Sequence, residues 1–130
     1  MERDRFRRLV QRSLRTLPPE IRRRIQNVEV SIEREPSRED LETAFEDGHA
    51  AHDGHHGHGH ELFGLYLGVP LTERHGGDPS LPDRIVIFQG PLERHFGPRS
   101  LQREIQRTVA HEVAHHFGID DHRLEELGLG

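Results

Sequence analysis

The apolar positions of this chain fall into short runs whose spacing changes from one segment to the next. Phe6, Leu9, Val10, Leu14 and Leu17 recur at helical spacing among arginines, which predicts an amphipathic helix over residues 2–16, stopped by Pro18 and Pro19. A short helix follows to about Ile25. Between residues 27 and 33 the period drops to two: Val28, Val30 and Ile32 alternate with polar residues, as in a strand with one buried face. Ser37 and Asp40 have capping-box spacing, with Asp where Glu or Gln is preferred. With Leu41, Ala44 and Phe45 they predict a helix over 38–46.

Residues 62–69 (LFGLYLGV) and 84–89 (RIVIFQ) are compact apolar runs with branched and aromatic side chains, flanked by Gly and Pro, and read as two further strands. The turn-rich LTERHGGDPSLPD separates them, and GPLERHFGP after the third strand reads as a loop. Helical spacing then returns: Leu101, Ile105, Val109, Val113 and Phe117 repeat every four residues, and Gly118 stands where a helix end takes a left-handed residue. A last short helix is expected at about 121–127. No internal repeat is visible.

A length of 130 residues suits one domain spanning 1–130, and the apolar residues are clustered enough to build one modest core. No run approaches the roughly 20 apolar residues of a membrane helix, and the N-terminal segment is arginine-rich and amphipathic rather than signal-like. A cytoplasmic protein with no membrane partner is expected. Cysteine is absent, which excludes disulfides and thiolate metal sites, so any metal must be held by His, Asp or Glu. The cationic residues are all Arg, a bias that fits genome composition or a hot habitat and carries no function.

Charge is uneven along the chain. Residues 1–24 hold nine Arg against Glu2, Asp4 and Glu20, and the remainder holds nine Arg against twenty acidic residues. An arginine-rich front suits nucleic acid or another anionic surface. The alternative is a solvated helix face that pairs with the acidic remainder. The lack of interleaved aromatic residues favours that alternative, so nucleic acid is not the expected partner.

The segment HEVAHHFGIDD places His111 and His115 one helical turn apart, where both imidazoles can reach one ion, with Glu112 beside them. On a wheel of about 100° per residue the apolar stripe lies to one side of both histidines, which need not be consumed by the core and can face a cleft. Gly118 lets the chain turn three residues after His115 and brings Asp121 back toward the ion. The string H-E-x-x-H-x-x-G-x-x-D thus supplies zinc with His111, His115 and a third ligand, leaving one position for water, with Glu112 as general base. Asp121 is the expected third ligand, His122 is next in line, and Asp120 is a further alternative.

HEVAHHFGIDDHRLEELG, with LFGLYLGVPLTERHGG and LPDRIVIFQGPLER, resembles a family of small bacterial zincin-like metallopeptidases over nearly the whole chain. The resemblance implies an α+β, minimal zincin-like fold in which a small mixed sheet packs on a long active-site helix. It implies zinc held by His111, His115 and Asp121, and a metalloendopeptidase acting on peptide or protein substrates. In zincins an extended peptide pairs with a sheet edge above the helix, and 62–69 would supply that edge, with Tyr66 placed to assist. The only Met is Met1, so the methionine turn beneath the metal in larger relatives is missing and the pocket floor must come from elsewhere.

The other histidines carry blander expectations. His116 falls within the apolar stripe and should be packed and hydrogen-bonded, while His75 and His95 should be surface loop residues. His49, His52, His55, His56, His58 and His60 lie in a small-residue tract expected to be a flexible insert at about 48–60. Such a tract either sequesters zinc, nickel or copper, with delivery to the site as one use of it, or has no function. Two alternatives to the enzyme follow: a non-catalytic metal-handling protein using that tract, or an interaction module using residues 1–24.

Overall fold

The computed structural model describes residues 1–46, 61–68 and 83–130, so the histidine tract and His75 lie outside the described residues. Among the described residues six helices and three strands follow one another: α1 (Arg3–Arg15), α2 (Pro19–Arg24), β1 (Val28–Glu33), α3 (Arg38–Glu46), β2 (Gly64–Leu67), β3 (Asp83–Phe88), α4 (Gln89–His95), α5 (Leu101–Phe117) and α6 (Asp121–Glu126). The local signals act as expected. Pro19 opens α2 in the first turn, where its missing N–H costs nothing. Ser37 and Asp40 cap α3 reciprocally, Asp40 N donating to Ser37 Oγ at 3.0 Å and Ser37 N to Asp40 Oδ2 at 2.9 Å.

The strands form a mixed sheet in the order β1-β3-β2, with β1 parallel and β2 antiparallel to β3. The central position of β3 explains its unbroken apolar run. Ile85 and Ile87 enter the main core with Phe6, Val10, Ile32, Phe63, Ile105 and Val109, whereas Val86 and Phe88 join Ala44, Leu62 and Leu65 on the opposite face. β1 lies at an edge and keeps the alternating pattern, with Ile32 buried and Glu29 and Glu33 exposed. The class is therefore α+β, a small mixed sheet packed on the long helix α5.

Helix α5 is held between the sheet and α1. At Gly64 an added Cβ would lie 2.6 Å from Thr108 Cγ2, so glycine is what lets β2 approach α5 this closely. On the other flank the Gln106 side-chain amide donates to Ser13 O at 3.1 Å and to Thr16 Oγ1 at 2.7 Å.

One element departs from expectation. GPLERHFGP reads as a loop, yet Gln89–His95 is helical and Gln89 to Leu92 are buried. Gly90 and Pro91 fall in the first turn, where helices tolerate both. Gly90 also donates its N–H to Arg34 O at 2.8 Å, and an added Cβ would sit 2.7 Å from that oxygen. The residues that look like loop punctuation mark a tight helix start against the end of β1.

Candidate functional site

Helix α5 runs from core to surface within the segment of interest. His111 is 5% exposed and Glu112 is fully buried, whereas His115, His116 and Phe117 are exposed. His111 Nε2 lies 2.9 Å from Leu129 O. That carbonyl is presented by a turn in which Gly128 takes φ 79° and Leu129 N donates to Leu124 O at 2.8 Å. Glu112 Oε1 accepts the backbone N–H of Tyr66 at 2.7 Å. Tyr66 lies on β2, an edge strand among the described residues, and its N–H points to α5 rather than to β3.

Both histidines lie off the apolar stripe of α5, yet only His115 is exposed; His111 is buried with Glu112 on a face that a helical wheel, which counts only the stripe of the helix itself, leaves uncovered. In the fold, β2 and the Leu124–Leu129 turn cover that face. A buried imidazole and a buried carboxylate are tolerable because each has a backbone partner.

Beyond Ala114 the chain turns as anticipated. Gly118 adopts φ 74°, its N–H and that of Ile119 both converge on Ala114 O, and the helix ends. Asp120 is committed as the cap of α6, accepting Arg123 N at 2.8 Å. Asp121 and His122 follow it, exposed on the first turn of α6. The structure therefore places His111 and Glu112 in the seam between α5 and β2, and His115, Asp121 and His122 at its surface end. Among the described residues no three His, Asp or Glu side chains are gathered closely enough to hold a metal ion between them.

Asp83, which sequence reasoning passed over, joins the outer wall of this seam. Tyr66 Oη donates to Asp83 Oδ2 at 2.6 Å, and His116 Nε2 stands 3.9 Å from the same oxygen. The rings of Tyr66 and His116 stack at 4.0 Å and 22°. An added Cβ at Gly68 would lie 2.6 Å from His116 Cε1, so this imidazole rests directly on the backbone beyond β2. His116 is thus packed, as expected, but on the half-exposed outer side of β2 and not in the core. The one sequence signal for Asp83 is a carboxylate opening an apolar strand. His95 belongs to α4 rather than a loop and meets Phe63 edge-on at 5.6 Å.

Helix α2 braces the surface end. The Arg24 guanidinium lies 5.3 Å from the centre of the Phe117 ring. Arg123 of α6 donates through Nε to both carboxylate oxygens of Glu20, at 3.0 and 3.1 Å. That pairing holds the Glu20 carboxyl below its ordinary range and raises the Arg123 guanidinium.

The chain matches the zincin-like metallopeptidase family over residues 25–130. Its fold is also similar to that of a conserved hypothetical protein from Thermus thermophilus, with a TM-score of 0.53 and 24% identity over 90% of this chain and 94% of that one. No curated protein matches. The family match includes β1, β2, β3 and the whole HEVAH helix, and on that basis the chain belongs to the zincin-like metallopeptidases.

Proposed function

We propose that this chain is a single-domain, zinc-dependent endopeptidase whose metal is held by His111, His115 and Asp121, with Glu112 as general base. The observation that carries the reading is the burial of Glu112 beside a candidate metal-ligating histidine, its carboxylate held by the amide of an edge strand. A carboxylate inside a core is costly, and nothing in packing alone favours Glu there over Leu or Met.

The donor set fits zinc. Two imidazoles at i and i+4 and one carboxylate after a left-handed glycine are borderline ligands suited to that ion, and their number leaves a position open. His111 already meets a backbone carbonyl, the kind of outer contact that orients a metal-ligating imidazole. When bound, zinc supplies a Lewis acid that acidifies water and polarises a carbonyl.

The remaining work falls to the side chains. Glu112 receives the proton of the attacking water and delivers it to the leaving amine, so water is divided between the two products. The Tyr66 N–H engages Oε1 and so orients the carboxylate. Packing of β2 against α5 limits solvent around the carboxylate. The peptide substrate would lie along the outer side of β2, bounded by Tyr66, His116 and Asp83.

The test is Glu112→Gln, which keeps an acceptor for Tyr66 and removes the base. Cleavage of a peptide library should disappear while zinc content stays at the wild-type level. Cleavage that persists in this variant rules Glu112 out.

A further inference from the structure

Among the described residues the arginines of the front do not pair with the acidic remainder of the molecule. Among the described residues none of the nine arginines of α1 and α2 forms an ion pair with a carboxylate. Their recorded contacts are of other kinds: Arg3 donates to Ile32 O, Arg22 to Arg15 O, and Arg24 lies over Phe117. The solvated face expected from the sequence is present, without a paired counter-charge among the described residues.

This charge is organised. Phe6, Val10 and Ser13 bury one face of α1. Arg5, Arg8, Arg12 and Arg15, spaced by three or four residues, form an exposed stripe on the other. The stripe runs into a groove of about 530 Å³ between α1 and α2, lined by Leu14, Pro19 and Ile25 below Arg15, Arg22 and Arg23. Arg22 is steadied over the end of α1 by its 3.3 Å bond to Arg15 O. Among the described residues no carboxylate lines the groove.

We propose that the stripe and groove bind a segment of single-stranded nucleic acid. Phosphodiesters would follow Arg5, Arg8 and Arg12, whose neighbours stand roughly 5–6 Å apart along the helix. One base would enter the groove, its face on the aliphatic floor and its edge and phosphate under the guanidinium groups. A free phosphate or mononucleotide would fill the groove and leave the stripe unused, and a duplex is too stiff to insert a base. An anionic membrane fits poorly, because the apolar face of α1 is already spent in the core, with Phe6 fully buried and Val10 2% exposed. Arginine planes replace the aromatic platform whose absence argues against this partner in the sequence.

The proposal stands apart from the peptidase reading, since it uses none of His111, Glu112, His115 or Asp121. The probe is a fluorescein-labelled single-stranded oligo(dT) of about 15 nucleotides, at the upper end of the usual footprint of such surfaces. Its anisotropy is titrated with the full chain at several salt concentrations. Binding is expected, with log K falling against log salt at a slope of roughly −3 to −3.5 for four or five phosphates. Arg5→Gln/Arg8→Gln/Arg12→Gln should flatten the slope by about two units. Arg15→Gln/Arg22→Gln/Arg23→Gln should weaken binding at least tenfold. Replacing the same three groove residues by Lys should retain the slope and recover only part of the affinity. All of these side chains are exposed, so unchanged circular-dichroism melts confirm folding. Absence of binding at low salt overturns the proposal. So does equal binding by both Gln variants, tighter binding of a duplex of the same length, or binding to phosphatidylglycerol vesicles without binding to the oligonucleotide.

Discussion

His111 and His115 are one helical turn apart on α5, and their surroundings differ in every respect that matters for stability. His111 is enclosed with Glu112 between β2 and the Leu124–Leu129 turn, and both side chains are tied to backbone groups. His115 is exposed one turn later, followed by the left-handed Gly118 and the exposed Asp121. The inner half of the site is part of the core, whereas the outer half is carried by a turn. Truncating an inner side chain should therefore mix loss of activity with unfolding, and truncating an outer one should separate them.

The largest effect expected from this contrast is at Glu112. Glu112→Gln should lower peptide hydrolysis by about 10²–10⁴-fold with little change in unfolding free energy. Glu112→Ala should lose the same activity and in addition about 1–3 kcal/mol in urea unfolding, because the Tyr66 N–H is left buried without an acceptor. Equal stability of the two variants would mean that the seam admits water.

The histidines give the next comparison. In metal-free protein His111→Ala should cost about 1–3 kcal/mol, since Leu129 O loses its partner inside the molecule. His115→Ala, at an exposed position, should cost less than His111→Ala. Zinc affinity should collapse in both, as read by competition with a chromophoric chelator. If His115→Ala proves the more destabilising in the absence of metal, the inner and outer assignments are reversed.

Gly118→Ala comes third. Among the described residues no atom lies within 4 Å of an added Cβ, so the cost is conformational, about 1–2 kcal/mol for an alanine held at φ 74°. Zinc affinity should fall with it if the turn is what delivers Asp121.

The smallest effect is electrostatic. Arg94 bonds both oxygens of Glu35, at 2.7 and 2.9 Å, and both of Glu61, at 2.8 and 3.1 Å, joining the end of β1 to the start of β2. The hydrogen bonds from Arg94 hold the Glu35 carboxyl below its ordinary value of 4.5, and the carboxylates raise the Arg94 guanidinium. A depressed carboxyl contributes its stability above the unfolded pKa and loses it as pH falls through the lower, folded value. Urea midpoints should therefore drop as pH falls through and below 4.5 in wild type, and by a smaller amount in Glu35→Gln. The pair is half-exposed, and salt should shrink the difference.

Much of this arrangement is legible in the sequence. The periodicities place α3 and α5 at their observed limits and the other expected helices and strands within a few residues, because spacing reports directly which face is buried. Gly118 is readable because only a left-handed residue ends α5 there. What is not legible depends on contacts between distant segments. Tyr66 and Glu112 are 46 positions apart, and no local pattern announces that β2 will cover the HEVAH face. The same holds for Leu129 O on His111. Helix α4 is missed for a different reason: Gly90 and Pro91 carry opposite meanings in a loop and in a first turn, and only the approach of Arg34 distinguishes them. Asp83 gains its role solely from register, opposite the end of β2.

The central claim is that the HEVAH helix and the turn after it form a zinc site. Metal analysis tests it most directly, on protein purified without an affinity tag and lacking residues 49–60, compared with the same protein carrying His111→Ala and His115→Ala. The account predicts about one zinc per chain in the first and none in the second. Equal loading of the two proteins, or a wild-type site that takes no zinc, contradicts it.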